Sequence, residues 1–112
     1  MKTAIICQHL LWEKVNKPIF ITLGSKGISG CANGKDFYHP AYQTSGQIDI
    51  VGAGDSVLAG CGISLCAGAA PEEAAYIGNL IGSITIEQIG TTGIATPEQL
   101  LERHYEYQKQ YH

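Results

Sequence analysis

Residues 49–60 read DIVGAGDSVLAG, and they carry the most informative pattern of the chain. The largely apolar residues 47–51 predict a strand, and residues 54–67 predict a long helix that Gly68 ends. The small residues 52–54 therefore lie where a strand leads into a helix. At such a junction several backbone N–H groups point into open space, and the helix adds the positive end of its dipole. The stretch predicts an anion-binding site.

Asp55 follows these small residues directly, in the first turn of the predicted helix. A carboxylate at this position would repel a phosphate that is only bound, whereas it has a use if the phosphate is transferred. It can take the proton from an attacking hydroxyl while the N–H groups stabilise the charge that develops on the phosphoryl oxygens. The spacing by itself also fits a plain tight turn.

The rest of the chain predicts alternating helices and strands without an internal repeat or a linker, and hence one domain. Before the motif, the pattern predicts a helix over 3–15 that ends before Pro18, a largely buried strand over 19–23, and a hairpin of strands 28–32 and 35–39 around Asn33-Gly34. After the motif, it predicts a helix from Pro71 to about Gln88 that stops at Gly90. The last predicted helix opens with a capping box over 96–99 and runs toward Tyr107, and a frayed tail follows it.

The composition of the 112 residues excludes several classes of protein. Hydrophobic residues make up 45% and charged residues 15%, so the chain is not intrinsically disordered. The net charge is −3, and the seven basic residues are scattered, so neither a nucleic acid nor an anionic membrane is expected as a partner. No secretory signal or membrane span is predicted, which favours a cytoplasmic protein. The 14 glycines exceed the usual share of about 7% and indicate close backbone approach.

Four cysteines, Cys7, Cys31, Cys61 and Cys66, show no CxxC spacing. Neither the cysteines nor the histidines have the spacing of paired zinc ligands. Free and mostly buried thiols are therefore expected, without a structural metal.

Dinucleotide binding is a rival interpretation, because its fingerprint also begins with a strand, a GxG turn and a helix. Two features exclude it. Val57 stands at the third glycine position, and the region about 20 residues further on should be a strand ending in an acid, whereas Pro71-Glu72-Glu73 opens a helix.

Residues 49–60 resemble the C-terminal signature of the ribokinase-like (PfkB) carbohydrate kinases. Residues 21–27, ITLGSKG, are similar to the family's strand and turn around the nucleotide, and Gly78-Asn79 falls in the helix that lines its adenine pocket. Residues 77–96 look most like the heptose-phosphate kinase branch. The resemblance extends over nearly the whole chain.

The resemblance implies a role for individual residues. Asp55 matches the catalytic base, and Gly52, Ala53 and Gly54 match the anion hole. The positions that match nucleotide contacts are Thr22, Gly24, Gly27 and Asn79. The positions that match a monovalent-cation site, present in many members, are Asp49, Val51, Thr85, Gln88 and Gly90. Two departures, Val51 in place of a common Thr and Ile94 in place of a polar ligand, put potassium activation in doubt.

The resemblance also implies the architecture and the activity. The expected fold is α/β, the C-terminal part of a three-layer α/β/α sandwich, and residues 1–112 correspond to the nucleotide-binding and catalytic part, with the sugar-binding part and the lid absent. The implied reaction moves the γ-phosphoryl group of ATP, with Mg²⁺, to a hydroxyl of a sugar or sugar phosphate.

Two expectations follow from that partial coverage. The chain alone is expected not to phosphorylate a sugar at a useful rate. The alternative to a part of a kinase is a non-catalytic nucleotide-binding remnant or shortened chain. Strands that would be central in a complete sheet become edges here, and unpaired edges favour self-association.

Overall fold

A computed structural model describes residues 2–44, 53–88 and 95–111, with the side chains of these residues except 2–4 and 53–55. The elements in chain order are α1 (Lys2–Val15), β1 (Ile19–Thr22), β2 (Ile28–Ala32), β3 (Lys35–His39), α2 (Ala53–Cys66), α3 (Pro71–Thr85) and α4 (Pro97–Tyr111). The predicted strand over 47–51 and the predicted helix stop at Gly90 lie outside the described residues.

The three described strands form an antiparallel sheet in the order β1-β2-β3. Asn33 and Gly34 connect β2 to β3 with φ angles of 53° and 77°, the left-handed geometry of a two-residue hairpin turn. The predicted hairpin is confirmed. The prediction that β1 is largely buried is wrong, because residues 19–21 are only half-buried and Thr22 is exposed. The reason is that β1 pairs only with β2 in the described part of the chain.

Helices cover both faces of the sheet. Side chains alternate along β2, so Ser29 and Cys31 point to one face and Ile28 to the other. The first face carries α1, where the Ser29 hydroxyl donates to Gln8 Oε1 over 2.9 Å. On the second face Ile28 packs in a buried cluster with Phe37, Cys61 and Ala75. This three-layer α/β/α arrangement agrees with the predicted fold class.

The helix ends follow from local sequence. Gly68, at φ 97°, follows the end of α2 as predicted. The capping box of α4 is confirmed, because the Thr96 N–H donates to Gln99 Oε1 over 2.9 Å and the Gln99 N–H donates to Thr96 Oγ1 over 3.2 Å. Helix α3 ends at Thr85 and continues as a turn through residue 88.

The predicted frayed tail beyond Tyr107 is wrong, since α4 continues to Tyr111. The Tyr111 hydroxyl donates to the Ala41 carbonyl over 2.6 Å. Gln110 exchanges two hydrogen bonds with the backbone of Gln43, each of 2.9 Å. These contacts with the segment after β3 hold the last turn of α4 in place. In the part of the chain that the structure describes, no helix has both the length and the apolar character that a membrane crossing requires.

Candidate active site

The glycine-aspartate motif lies at the start of α2. The helix begins at Ala53, one residue before the predicted start, so 53–55 form its first turn. The first N–H groups of a helix have no partner within that helix, and they carry the positive end of its dipole. The anion hole is therefore predicted at a helix N-terminus. Gly52 and the side chain of Asp55 lie outside what the structure describes.

The predicted nucleotide turn follows β1 directly. Thr22 is the exposed last residue of β1, and Gly24 opens a 3₁₀ turn over Gly24–Lys26. Gly24 has a φ of 60° and open space where a Cβ would point, so its backbone is accessible to a ligand. Gly27 differs, because at its φ of 107° a Cβ would come within 2.8 Å of the backbone of Ala41. Gly27 is thus required for packing of the turn against the chain after β3.

Asn79, the residue predicted near the adenine, is buried on α3. Its Nδ2 donates to the Pro40 carbonyl over 2.9 Å. The Tyr107 hydroxyl of α4 donates to the same oxygen over 2.7 Å. Asn79 therefore ties the segment after β3 to the helical layer, and its nucleotide contact stays a prediction.

Only two of the predicted cation ligands lie within the described residues. Thr85 is buried, and its hydroxyl donates to the Gly82 carbonyl of the same helix over 3.2 Å. The Gln88 N–H donates to the Thr85 carbonyl over 3.1 Å. Asp49, Val51 and Gly90, which would complete the site, lie outside the described residues, as does Ile94, so the potassium site stays a prediction.

A buried cation that the sequence reasoning missed lies between α3 and α4. Arg103 donates to Ser83 Oγ over 2.9 Å, forms ion pairs with Glu87 and Glu106, and lies over the Tyr42 ring at 4.1 Å from its centroid. A buried charge needs such partners. A single arginine among the polar residues of α4 gives no sequence signal for this role.

A cavity of about 680 Å³ lies between α3 and α4, beside the end of β3. Tyr76 and His104 meet in it, with 2.6 Å between the hydroxyl and Nδ1. Burial raises the pKa of Tyr76, which keeps its hydroxyl neutral. The described residues that line the cavity include Ile77, Leu80 and Leu100, together with Glu72 and Glu73, and no lysine or arginine is among them. The cavity therefore suits an apolar ring better than a phosphate.

The thiols differ in burial more than predicted. Cys31 and Cys61 are buried, whereas Cys7 and Cys66 are exposed, so the prediction of mostly buried thiols is wrong for half of them. Both exposed thiols lie on helix faces that no described element covers. Burial raises the pKa of Cys31 and of Cys61, so both are neutral thiols rather than activated nucleophiles.

A three-layer α/β/α arrangement with a glycine-rich turn at a helix start defines a class of phosphate-binding α/β proteins. Comparison with known proteins shows which family within this class the chain matches. Residues 2–99 match the model of the pfkB family of carbohydrate kinases, and the chain belongs to that family. The predicted family and fold are thereby confirmed.

Individual relatives agree with this assignment. The chain is 29% identical over 99 residues to the bifunctional protein HldE of Alcanivorax borkumensis, a match that covers 88% of this chain and 21% of that protein. This relative agrees with the predicted resemblance to the heptose-phosphate kinase branch. The chain spans about a fifth of the length of the curated relatives it matches.

Two solved structures share the fold. The phosphofructokinase-2 of Escherichia coli, in complex with potassium, superposes with a TM-score of 0.78 at 20% identity, covering 92% of this chain and 33% of that one. The ribokinase of Arabidopsis thaliana, complexed with ribose and ATP, superposes with a TM-score of 0.70 at 22% identity, covering 78% of this chain and 28% of that one.

Proposed function

We propose that the chain supplies the base, the anion hole and the nucleotide site for ATP-dependent phosphoryl transfer to a hydroxyl of a sugar or sugar phosphate. The observation that carries the proposal is the family match over residues 2–99, which includes both the turn after β1 and the glycine-aspartate motif. The start of α2 at Ala53 supports it, because a helix N-terminus stabilises phosphoryl oxygens.

The proposed reaction assigns one role to each part of the motif. The acceptor hydroxyl oxygen forms a bond to the γ-phosphorus, the bond from that phosphorus to the bridging oxygen breaks, and ADP leaves. The Asp55 carboxylate takes the hydroxyl proton. The backbone N–H groups of Gly52, Ala53 and Gly54 stabilise the charge on the transferring phosphoryl group.

The nucleotide site is proposed around the turn after β1 and on α3. Its residues are Thr22, Gly24, Gly27 and Asn79. Mg²⁺ enters bound to the phosphates of ATP. The ATP and potassium complexes of the two structural neighbours support ATP as the donor and a potassium site nearby. The proposed potassium ligands are Asp49, Val51, Thr85, Gln88 and Gly90.

We further propose that residues 1–112 are the C-terminal, nucleotide-binding and catalytic part of such a kinase, and that alone they do not phosphorylate a sugar. The partial coverage of the relatives supports this, since their remaining length has no counterpart in these residues. A cytoplasmic location is part of the proposal, because all four cysteines are free and thiols persist in a reducing compartment.

Nucleotide affinity tests the role of Asp55. The carboxylate repels the γ-phosphate in the ground state, and two like charges about 4 Å apart in water repel each other by about 1 kcal/mol. Removal of this repulsion in Asp55→Asn is therefore expected to tighten ATP binding about fivefold. The affinity for ADP, which lacks that phosphate, should change less. Isothermal titration calorimetry of the whole chain gives both values, with the exposed Glu102→Gln as the charge-matched control.

The outcomes separate the parts of the proposal. Equal changes for ATP and ADP contradict the position of Asp55 beside the γ-phosphate and favour the non-catalytic remnant. Sugar-dependent release of ADP that Asp55→Asn abolishes would contradict the inactivity of the chain alone, while it would support Asp55 as the base.

A second pair of variants tests the adenine site. Asn79→Ala should weaken ATP and ADP binding alike, because both nucleotides carry the adenine. Tyr107→Phe is the control, since it removes the other hydrogen bond to the Pro40 carbonyl, keeps the ring and changes no residue of α3. If both variants weaken nucleotide binding equally, Asn79 acts by anchoring the segment after β3, and its proposed contact with adenine is wrong.

A further inference from the structure

Three side chains with metal-ligating atoms meet where α1 covers the hairpin. Cys31 and Asp36 are paired across β2 and β3, so their side chains leave the same face of the sheet. His9 reaches that face from α1. Its Nε2 lies 2.7 Å from Asp36 Oδ2, and its Nδ1 lies 4.0 Å from Cys31 Sγ. The three ligand atoms, one from each residue, lie within 4.8 Å of one another.

We propose that His9, Cys31 and Asp36 form a binding site for a zinc ion, with the remaining coordination position taken by water. Thiolate, imidazole and carboxylate are the donor types that zinc takes in proteins. When the ion binds, the Cys31 thiol releases its proton to solvent, and the resulting thiolate and the Asp36 carboxylate neutralise the two charges of the ion. A sulfur ligand also discriminates against Mg²⁺ and Ca²⁺, which prefer sites built from oxygen.

The distance between nitrogen and sulfur suits a tetrahedral ion. Bonds of about 2.0 Å to nitrogen and about 2.3 Å to sulfur place the two atoms about 3.5 Å apart at a tetrahedral angle. The 4.0 Å between His9 Nδ1 and Cys31 Sγ is close to this value, so a small side-chain rotation of His9 closes the difference. Asp36 then exchanges its hydrogen bond to the imidazole for a bond to the ion.

The exposure of the three residues gives the ion a path and leaves room for water. The His9 and Asp36 side chains are 40% and 36% exposed, whereas Cys31 is completely buried. The ion therefore approaches from solvent and binds the sulfur at the bottom of the site. The sulfur is shielded from other reactants by the same burial.

A buried side chain supports the carboxylate from the protein side. Gln8 is fully buried, and its Nε2 donates to Asp36 Oδ1 over 2.8 Å and to the Gly30 carbonyl over 2.9 Å. The Ser29 hydroxyl donates to Gln8 Oε1 over 2.9 Å, so the amide group is held at both ends. Hydrogen bonds of this kind orient metal ligands in known sites. The arrangement positions Asp36 before any ion arrives.

Metal titration of the whole chain, after removal of metals with a chelator, tests the site. We expect one Zn²⁺ per chain by calorimetry, and we expect Co²⁺ to give the visible bands of a tetrahedral site together with a sulfur-to-cobalt charge-transfer band. Cys31→Ser should abolish the sulfur band. His9→Gln and Asp36→Asn should each weaken Zn²⁺ binding at least about tenfold. Cys7→Ser, on the exposed side of α1, is the control and should leave both readouts unchanged.

Specific results would overturn the zinc site. A sulfur band that survives in folded Cys31→Ser, or that is lost in Cys7→Ser, assigns the metal to another thiol. An unchanged Zn²⁺ affinity in His9→Gln would show that the His9 imidazole does not bind the ion. Because His9 is partly exposed, that variant is expected to fold even if the buried Cys31→Ser does not, and circular dichroism checks both.

Discussion

The carbonyl oxygen of Pro40 accepts hydrogen bonds from Asn79 on α3 and from Tyr107 on α4. Proline has no N–H, so the carbonyl is the only backbone group through which this residue can form hydrogen bonds. Two donors on that one acceptor hold the segment after β3 against two helices. Single residues thus fix the path of the chain as it leaves the sheet toward the glycine-aspartate motif.

Tyr107→Phe should change stability in a pH-dependent way. Burial raises the pKa of Tyr107, so the folded chain holds the phenolic proton to higher pH than the unfolded chain, in which tyrosine ionises near pH 10. The stability that Tyr107 contributes is therefore present below about pH 10 and is lost as the pH rises further. Below pH 10 the variant should be less stable by about 1 kcal/mol, the value of one hydrogen bond.

Urea unfolding at several pH values measures this effect. The free energy of unfolding of the parent should fall above about pH 10, and that of Tyr107→Phe should fall less steeply. Tyr42 and Tyr76 have pKa values raised in the same direction, so part of the dependence remains in the variant. Identical pH dependence in both proteins would contradict the role of Tyr107.

Helices α2 and α3 pack through a seam of small residues. A Cβ on Gly78 would lie 2.5 Å from Cys61 Sγ and 2.7 Å from the Val57 carbonyl oxygen. A Cβ on Gly60 would lie 3.1 Å from the Gly78 Cα. The glycine excess in the helices thus has a packing cause, in agreement with the close backbone approach that the glycine count predicts.

Alanine at two glycines of this helix pair should have opposite effects. Gly78→Ala forces α2 and α3 apart and should destabilise the chain by about 1–3 kcal/mol, the usual range for overpacking. Gly62→Ala is the control, because a Cβ there meets nothing within 4 Å, and it should stabilise α2 by about 0.5–1 kcal/mol. Thermal unfolding of both variants measures whether each is more or less stable than the parent. A Gly78→Ala variant as stable as the parent would contradict the close packing of α2 against α3 at this glycine.

At the scale of the whole molecule, the described residues include large apolar side chains that are exposed on two helices. On α1 the side chains of Ile6 and Leu10 are 59% and 60% exposed. Leu58 and Ile63 on α2 are also more than half exposed. Ile6 and Leu10 are four residues apart and so lie on the same face of α1. An exposed apolar face of this kind marks a surface that packs against another chain or segment. We propose that the chain self-associates through these helix faces in addition to the unpaired strand edges.

Light scattering at increasing concentration tests self-association. The parent should have a mass above that of one chain at high concentration. The double variant Ile6→Glu, Leu10→Glu should shift toward the monomer, because it places two charges on the apolar face of α1. Lys17→Glu is the control, since it makes the same change in net charge at an exposed position outside the helices. A parent that stays monomeric at all concentrations contradicts the proposal.

Local sequence predicted most of the described elements. The Asn33-Gly34 turn, the capping box that starts with Thr96 and the glycine after α2 act over a few residues, so their geometry can be read from spacing. The half-exposed β1 and the full length of α4 could not be predicted this way. Their outcome depends on which distant segments pack against them.

The family, the fold class and the motif at the start of α2 could be recognised from the amino-acid sequence alone, because the motifs that indicate them are short runs of neighbouring residues. The hydrogen bond from Asn79 to the Pro40 carbonyl and the proximity of His9, Cys31 and Asp36 are visible only in the folded chain. These partners are far apart in the chain, and their meeting depends on sheet register and helix packing. No spacing rule contains that information.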